Sequence, residues 1–103
     1  MANGTLGQAD LSALTNTTVY TVPADTTATV NINLCNRSGL PRSVRIAICA
    51  SGTPANSEYI EYDTYLTANG TLERTGLVVS ANKLIVVYST DDNVSVNVYG
   101  YEA

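Results

Sequence analysis

Histidine, tryptophan and phenylalanine are absent from this 103-residue chain, and methionine occurs once. Without histidine, most acid–base, metal-binding and nucleophilic arrangements lose their commonest member. Charged residues make up only 14%, against an ordinary share of about 25%, while 45% of the chain is hydrophobic, enough for a packed fold rather than disorder. Long apolar runs are also missing. Leu77-Val78-Val79 and Leu84-Ile85-Val86-Val87-Tyr88 fall far short of the ~20 residues a membrane-spanning helix needs, so no membrane segment is expected. Nothing in the first thirty residues combines a positive start with an apolar stretch, so no signal peptide is expected and the chain is read as cytoplasmic in synthesis. A second core would need roughly another hundred residues, which excludes a two-domain enzyme.

What is present favours sheet. Val, Ile, Thr and Tyr are abundant and Ala is scattered among Thr and Asn. Short alternating segments recur near every ten residues, separated by turn chemistry. Thr17–Val22 reads as a strand stopped by Pro23. In 28–36, Val30, Ile32 and Leu34 share one face; in 42–49, Val44, Ile46 and Ile48 do the same, and the two segments read as an antiparallel pair. In 58–66, Ile60, Tyr62, Thr64 and Leu66 are expected inward, with Tyr59, Glu61, Asp63 and Tyr65 outward. Asn69-Gly70 predicts a hairpin into 71–75, Gly76 a bulge, and Asp91-Asp92-Asn93 a terminal hairpin between 83–90 and 94–101. The expected fold is an all-β antiparallel sandwich of seven or eight short strands over residues 16–103, jelly-roll or Ig-like in connectivity. Residues 1–15, poor in large apolar groups apart from Leu6, Leu11 and Leu14, read as a non-regular N-terminal arm.

Candidate chemistry is sparse. Cys35 and Cys49 stand at opposite ends of their expected strand pair, roughly 20 Å apart, too far for a disulfide unless the strands lie in different sheets. Glu58, Glu61, Asp63, Asp91 and Asp92 form no calcium-loop spacing and read as solvated acids, and the glycines form no phosphate-cradling loop. No catalytic residue, cofactor or metal is expected. Asn-x-Ser/Thr triplets at Asn3, Asn16, Asn36, Asn69 and Asn93 are what a chain rich in these residues produces by chance. Five basic against nine acidic side chains, net −4, disfavour nucleic acid. The one basic concentration is Arg37, Arg42 and Arg45, with Arg74 elsewhere. Outward tyrosines suit an interface better than open solvent, because each pairs a large apolar ring with a hydroxyl that stays bonded.

The segments Tyr20-Thr21-Val22-Pro23-Ala24, Ala28–Asn33, Tyr59-Ile60-Glu61-Tyr62-Asp63, Leu72-Glu73-Arg74-Thr75-Gly76 and Val96–Glu102, taken as a set, give the chain from about Thr17 onward its likeness. It resembles small virion structural proteins of tailed bacteriophages, especially cyanophages. The resemblance implies a non-catalytic β-sandwich carried on a virion, and it transfers no active-site residue. The function expected is therefore that of a decoration or cement subunit. It would bind itself as a homo-oligomer and other virion proteins such as the major capsid protein. The alternative is an adhesion module at a fibre or baseplate tip that binds host surface glycans. In either case Tyr59, Tyr65, Tyr99 and Tyr101 are expected to supply interface area, Arg37, Arg42 and Arg45 to meet acidic neighbours, and Leu6, Leu11 and Leu14 to anchor the arm.

Overall fold

Aliphatic residues at every second position give a strand one face that must leave water, and two such sheets satisfy each other by packing face to face. The computed structural model describes residues 1–103 and shows this arrangement. Its strands are β1 (Asn3–Leu11), β2 (Thr17–Thr21), β3 (Ala28–Asn36), β4 (Arg42–Cys49), β5 (Tyr59–Leu66), β6 (Thr71–Val79), β7 (Leu84–Ser89) and β8 (Val94–Glu102). One antiparallel sheet has the order β1-β8-β3-β6 and the other β2-β7-β4-β5. The only helical element is a single 3-10 turn at Asn56–Glu58, and no helix is long and apolar enough to cross a membrane. Val30, Ile32, Leu34, Val94, Val96 and Val98 of the first sheet meet Val44, Ile46, Ile85 and Val87 of the second in one core whose sole aromatic ring is Tyr20.

The first residues differ from the expected arm. Asn3–Leu11 is a full strand, paired with β8 from Asn3↔Tyr101 to Leu11↔Val94. Leu11 is buried in the core and Leu6 packs against it, so these leucines anchor the segment within its own domain; Leu14 lies beyond the strand, 68% exposed in a turn with φ +56. Backbone pairing with β8 holds the segment where its own apolar content could not.

Three expected strand pairs also differ. β3 and β4, β5 and β6, and β7 and β8 each belong to opposite sheets, so the turns between them are corners that cross the sandwich. Asn69 and Asn93 do take the left-handed backbone that their turn chemistry suggests. Only β4 and β5 form a hairpin between neighbours in sequence. Asn36 secures one corner from inside: its buried amide donates to the carbonyls of Leu40 (2.8 Å) and Thr67 (3.0 Å), and its oxygen accepts the Ser38 N–H (3.0 Å). Cys35 and Cys49 are both free, one on the outward side of each sheet with the whole sandwich between them. Burial pushes the Cys49 thiol above its ordinary pKa, which keeps it in the unreactive protonated form.

Register irregularities fall only where an edge strand meets its neighbour: at Thr5/Gly7, Thr18/Tyr20, Val30/Ile32 opposite Gly76, and twice along β5. The central pairs β3·β8 and β4·β7 are regular. All four edges are thereby twisted out of the straight ladder that another strand could extend.

The two open sides of the sandwich are closed differently. At β1 and β2 the backbones approach so closely that a Cβ on Gly7 would lie 2.3 Å from the Val19 carbonyl oxygen. The Tyr20 hydroxyl donates to Glu102 across the sheets at 2.5 Å, and the Ala2 N–H donates to the same carboxylate. On the far side Arg74 of β6 reaches Glu61 of β5 at 2.5 Å and the Ile60 carbonyl at 3.1 Å. Gly100 brings β8 against β3: it has φ +156, and a Cβ there would stand 2.0 Å from the Thr29 carbonyl oxygen.

Two outcomes follow from these closures. Gly7→Ala and Gly100→Ala each lower stability by about 2 kcal/mol or more, roughly 10 °C in Tm for a domain of this size, as read by thermal denaturation. Gly39→Ala, with no atom within 4 Å of the added carbon, serves as the near-neutral control. The second outcome concerns pH. The Thr64 hydroxyl and then Arg74 hold the Glu61 carboxyl below its ordinary pKa; Tyr20 and the Ala2 N–H do the same for Glu102. A carboxyl depressed in the folded state contributes stability that is complete above its unfolded pKa of about 4.3 and is lost as pH falls toward the folded value. Denaturant midpoints measured downward from pH 6 should therefore decline below about pH 4.5, and more shallowly in Glu61→Gln than in the wild type.

Candidate functional site

The outward faces of the two sheets carry the residues not needed for the core, and six of the seven tyrosines stand there; only Tyr20 is internal. On the second sheet, Tyr62 of β5 and Tyr88 of β7 flank Arg45 of β4, with Tyr59 and Tyr65 of β5 on the same face to either side. Tyr62 departs from its expected inward position. Asp63 adopts φ +51, a left-handed residue inside the strand, and this bulge shifts parity so that Tyr62 emerges 57% exposed while Glu61 turns to the sandwich side to meet Thr64 and Arg74. The outer face thus gains a ring and loses an acid.

Arg45 is the centre of that face. Its guanidinium lies 4.2 Å from the Tyr62 ring centroid and 4.7 Å from that of Tyr88. It grips Asp63 through two bonds, Nε to Oδ1 at 2.6 Å and Nη2 to Oδ2 at 3.3 Å. The carboxylate bond holds the arginine proton more firmly than usual. Tyr59 meets Tyr62 edge to face, 4.9 Å between centroids. Beside them Ala47, Cys49 and Val86 point outward yet are buried, covered by Tyr59 and Leu84. This is an aromatic and aliphatic surface with one balanced charge pair between β4 and β5. Tyr65, opposite Ser43 and 66% exposed, stands at its rim.

The first sheet presents a more polar face. Gln8 donates its side-chain amide to Asn97 at 2.7 Å, and together with Asp10 and Ser95 they line a shallow open depression between β1 and β8. Tyr99 spans β3 to donate its hydroxyl to Glu73 at 2.5 Å; that bond raises the tyrosine's pKa. Tyr101 (53% exposed) and Val78 (70% exposed) flank Thr29 at the end of the same face.

The three arginines that are close in sequence are not one patch. Arg37 pairs with Asp10 at the edge of the first sheet. Arg42 is 9% exposed: Nε donates to the Asp92 carbonyl at 3.0 Å and Nη1 to the Pro41 carbonyl at 3.2 Å, with the Asp91 and Asp92 carboxylates 3.8 and 3.9 Å away. Arg42 therefore fastens a corner of its own chain, and only Arg45 lies among the outward tyrosines. Sequence reading placed Asp63 on this side but missed Tyr62 and Tyr88 as members of that group. Tyr88 was findable, since it alternates with the inward Ile85 and Val87; the backbone of Asp63 carries no signal. No group of three or more Cys, Asp or Glu is arranged to hold a metal ion. Neither a protein-family model nor a curated protein nor a solved structure matches this chain.

The contrast between these positions is measurable. Arg42→Ala strips the Asp92 and Pro41 carbonyls of their donor and costs about 2–3 kcal/mol by chemical denaturation, whereas Tyr65→Ser stays within about 0.5 kcal/mol of the wild type.

Proposed function

We propose that this chain is a non-catalytic structural subunit of a tailed-phage virion, a decoration or cement protein that docks on the major capsid protein or a tail protein and reinforces the particle. The observation that carries this reading is the placement of the tyrosines. A chain with no Trp or Phe spends six of its seven large aromatic rings on two opposite exteriors and builds its core from Val, Ile and Leu. Tyrosine, a large apolar ring with a polar tip, is among the side chains that protein interfaces favour. Irregular edges direct contact to the faces and away from strand addition. We read the strand orders β1-β8-β3-β6 and β2-β7-β4-β5 as jelly-roll connectivity, an architecture shared by capsid and lectin domains, which supports the role by analogy of fold.

One feature favours the glycan-binding alternative. The Gln8–Asn97 pair leaves an amide acceptor and an amide donor facing outward near Tyr99, a combination that suits neighbouring sugar hydroxyls. Titration of purified protein onto undecorated particles separates the two. Cement binding saturates at a fixed ratio to the shell lattice and weakens when Tyr99 and Tyr101 are both changed to Ser; binding to host cells or glycan arrays with none to shells establishes adhesion instead.

A further inference from the structure

The proposed role leaves open which face meets which neighbour. Building on that role, we infer that the outer face of the β2-β7-β4-β5 sheet is a two-fold contact between copies of this chain, leaving the more polar opposite face for a different partner.

With a net charge of −4, two copies repel unless they meet where charge is locally balanced. Arg45 of the inner strand β4 and Asp63 of the edge strand β5 lie side by side on the face and cancel. A two-fold axis through this point sets the two ion pairs antiparallel, each guanidinium beside a second copy's carboxylate, and a surface carrying one charge of each sign is complementary to itself. The opposite face also carries a balanced pair, Arg37 with Asp10 at the β1 edge, but at the β6 edge stands Glu73, which makes no salt bridge, is bound only to the Tyr99 hydroxyl and would confront its own image. Copies meeting through that side would oppose acid to acid.

Tyr62 and Tyr65, more than half exposed, and the Arg45 guanidinium held between two rings are the residue types that dominate interface centres. Arg45 and Tyr62 are already held by Asp63, Tyr59 and Tyr88, so little of their side-chain freedom remains to be lost on contact. Size sets the strength. Four strands of five to eight residues cover roughly 500 Å² in plan, below the ~800 Å² per partner of a standard interface, so the dimer dissociates on dilution.

Sedimentation velocity from about 1 µM to about 1 mM tests this. The wild type is expected to shift from 10.9 kDa toward twice that mass, while Tyr65→Lys remains at 10.9 kDa with unchanged circular dichroism and Tm, and Tyr101→Lys on the opposite face associates like the wild type. A charge exchange adds the symmetry. The Arg45→Asp chain carries two neighbouring acids and the Asp63→Arg chain two neighbouring guanidinium groups; each alone stays monomeric, and an equimolar mixture forms a heterodimer. A wild type that is monomeric throughout, or association abolished by Tyr101→Lys and untouched by Tyr65→Lys, overturns the inference. Shell titration reads out separately: dimers that bind no particle refute the decoration role alone, and monomers that saturate particles refute the dimer alone.

Discussion

Everything in this molecule depends on two aliphatic surfaces that exist only because they cover each other. Val, Ile and Leu at alternate positions of β3, β8, β4 and β7 are fully buried between the sheets, and neither sheet could keep that surface from water by itself. With no Phe or Trp to fill space, fit between the layers comes from many small branched side chains. The flanks then decide whether the layers stay in register. One is shut by bare backbone, at Gly7 against Val19, with the Tyr20 hydroxyl bound to Glu102 behind it; the other by the charged grip of Arg74 on Glu61. No buried side-chain nitrogen or oxygen lacks a hydrogen-bond partner, so the polar groups drawn into these closures do not offset the gain from burial.

Legibility in the sequence divides along a physical line. Alternation states which side of a strand is wet, and on that basis the inward sets of β3, β4 and β8 could be read residue by residue. Alternation does not state which strand lies alongside. Asn36–Pro41, Asn69-Gly70 and Asp91–Asn93 contain the residues that any reversal of direction needs, whether it joins neighbours in one sheet or crosses to the other layer. Three supposed hairpins were corners for that reason. β1 was hidden differently: Asn3, Gly4, Gly7 and Gln8 have little strand propensity, and their conformation is imposed by the ladder of β8. Tertiary pairing decided what local preference could not.

The same division runs through the candidate site. Tyr65, Tyr99 and Tyr101 lie outside as parity demands, but one left-handed residue at Asp63 exchanged the places of Tyr62 and Glu61 and so created both the aromatic cradle of Arg45 and the Glu61–Arg74 bridge. A single backbone torsion thereby links the stability of one flank to the chemistry of an exterior face. Proximity in sequence was equally misleading for Arg37, Arg42 and Arg45, which alternation and the corner at Pro41 send to three separate places, each beside its own acid.

The position of β8 between β1 and β3 also governs how the fold can arise. On a ribosome, the opening strand emerges first and has no neighbour to hydrogen-bond until the eighth has been synthesised. The β1·β8 and β8·β3 ladders therefore assemble only in one late step, in the slow regime set by contacts between residues distant along the chain. During that delay β1 is exposed as nascent polypeptide, and its glycines, amides and lone Asp10 make it a poor seed for intermolecular sheet. The blandness that disguises this segment as a loose tail is what lets it wait in solution for its mate.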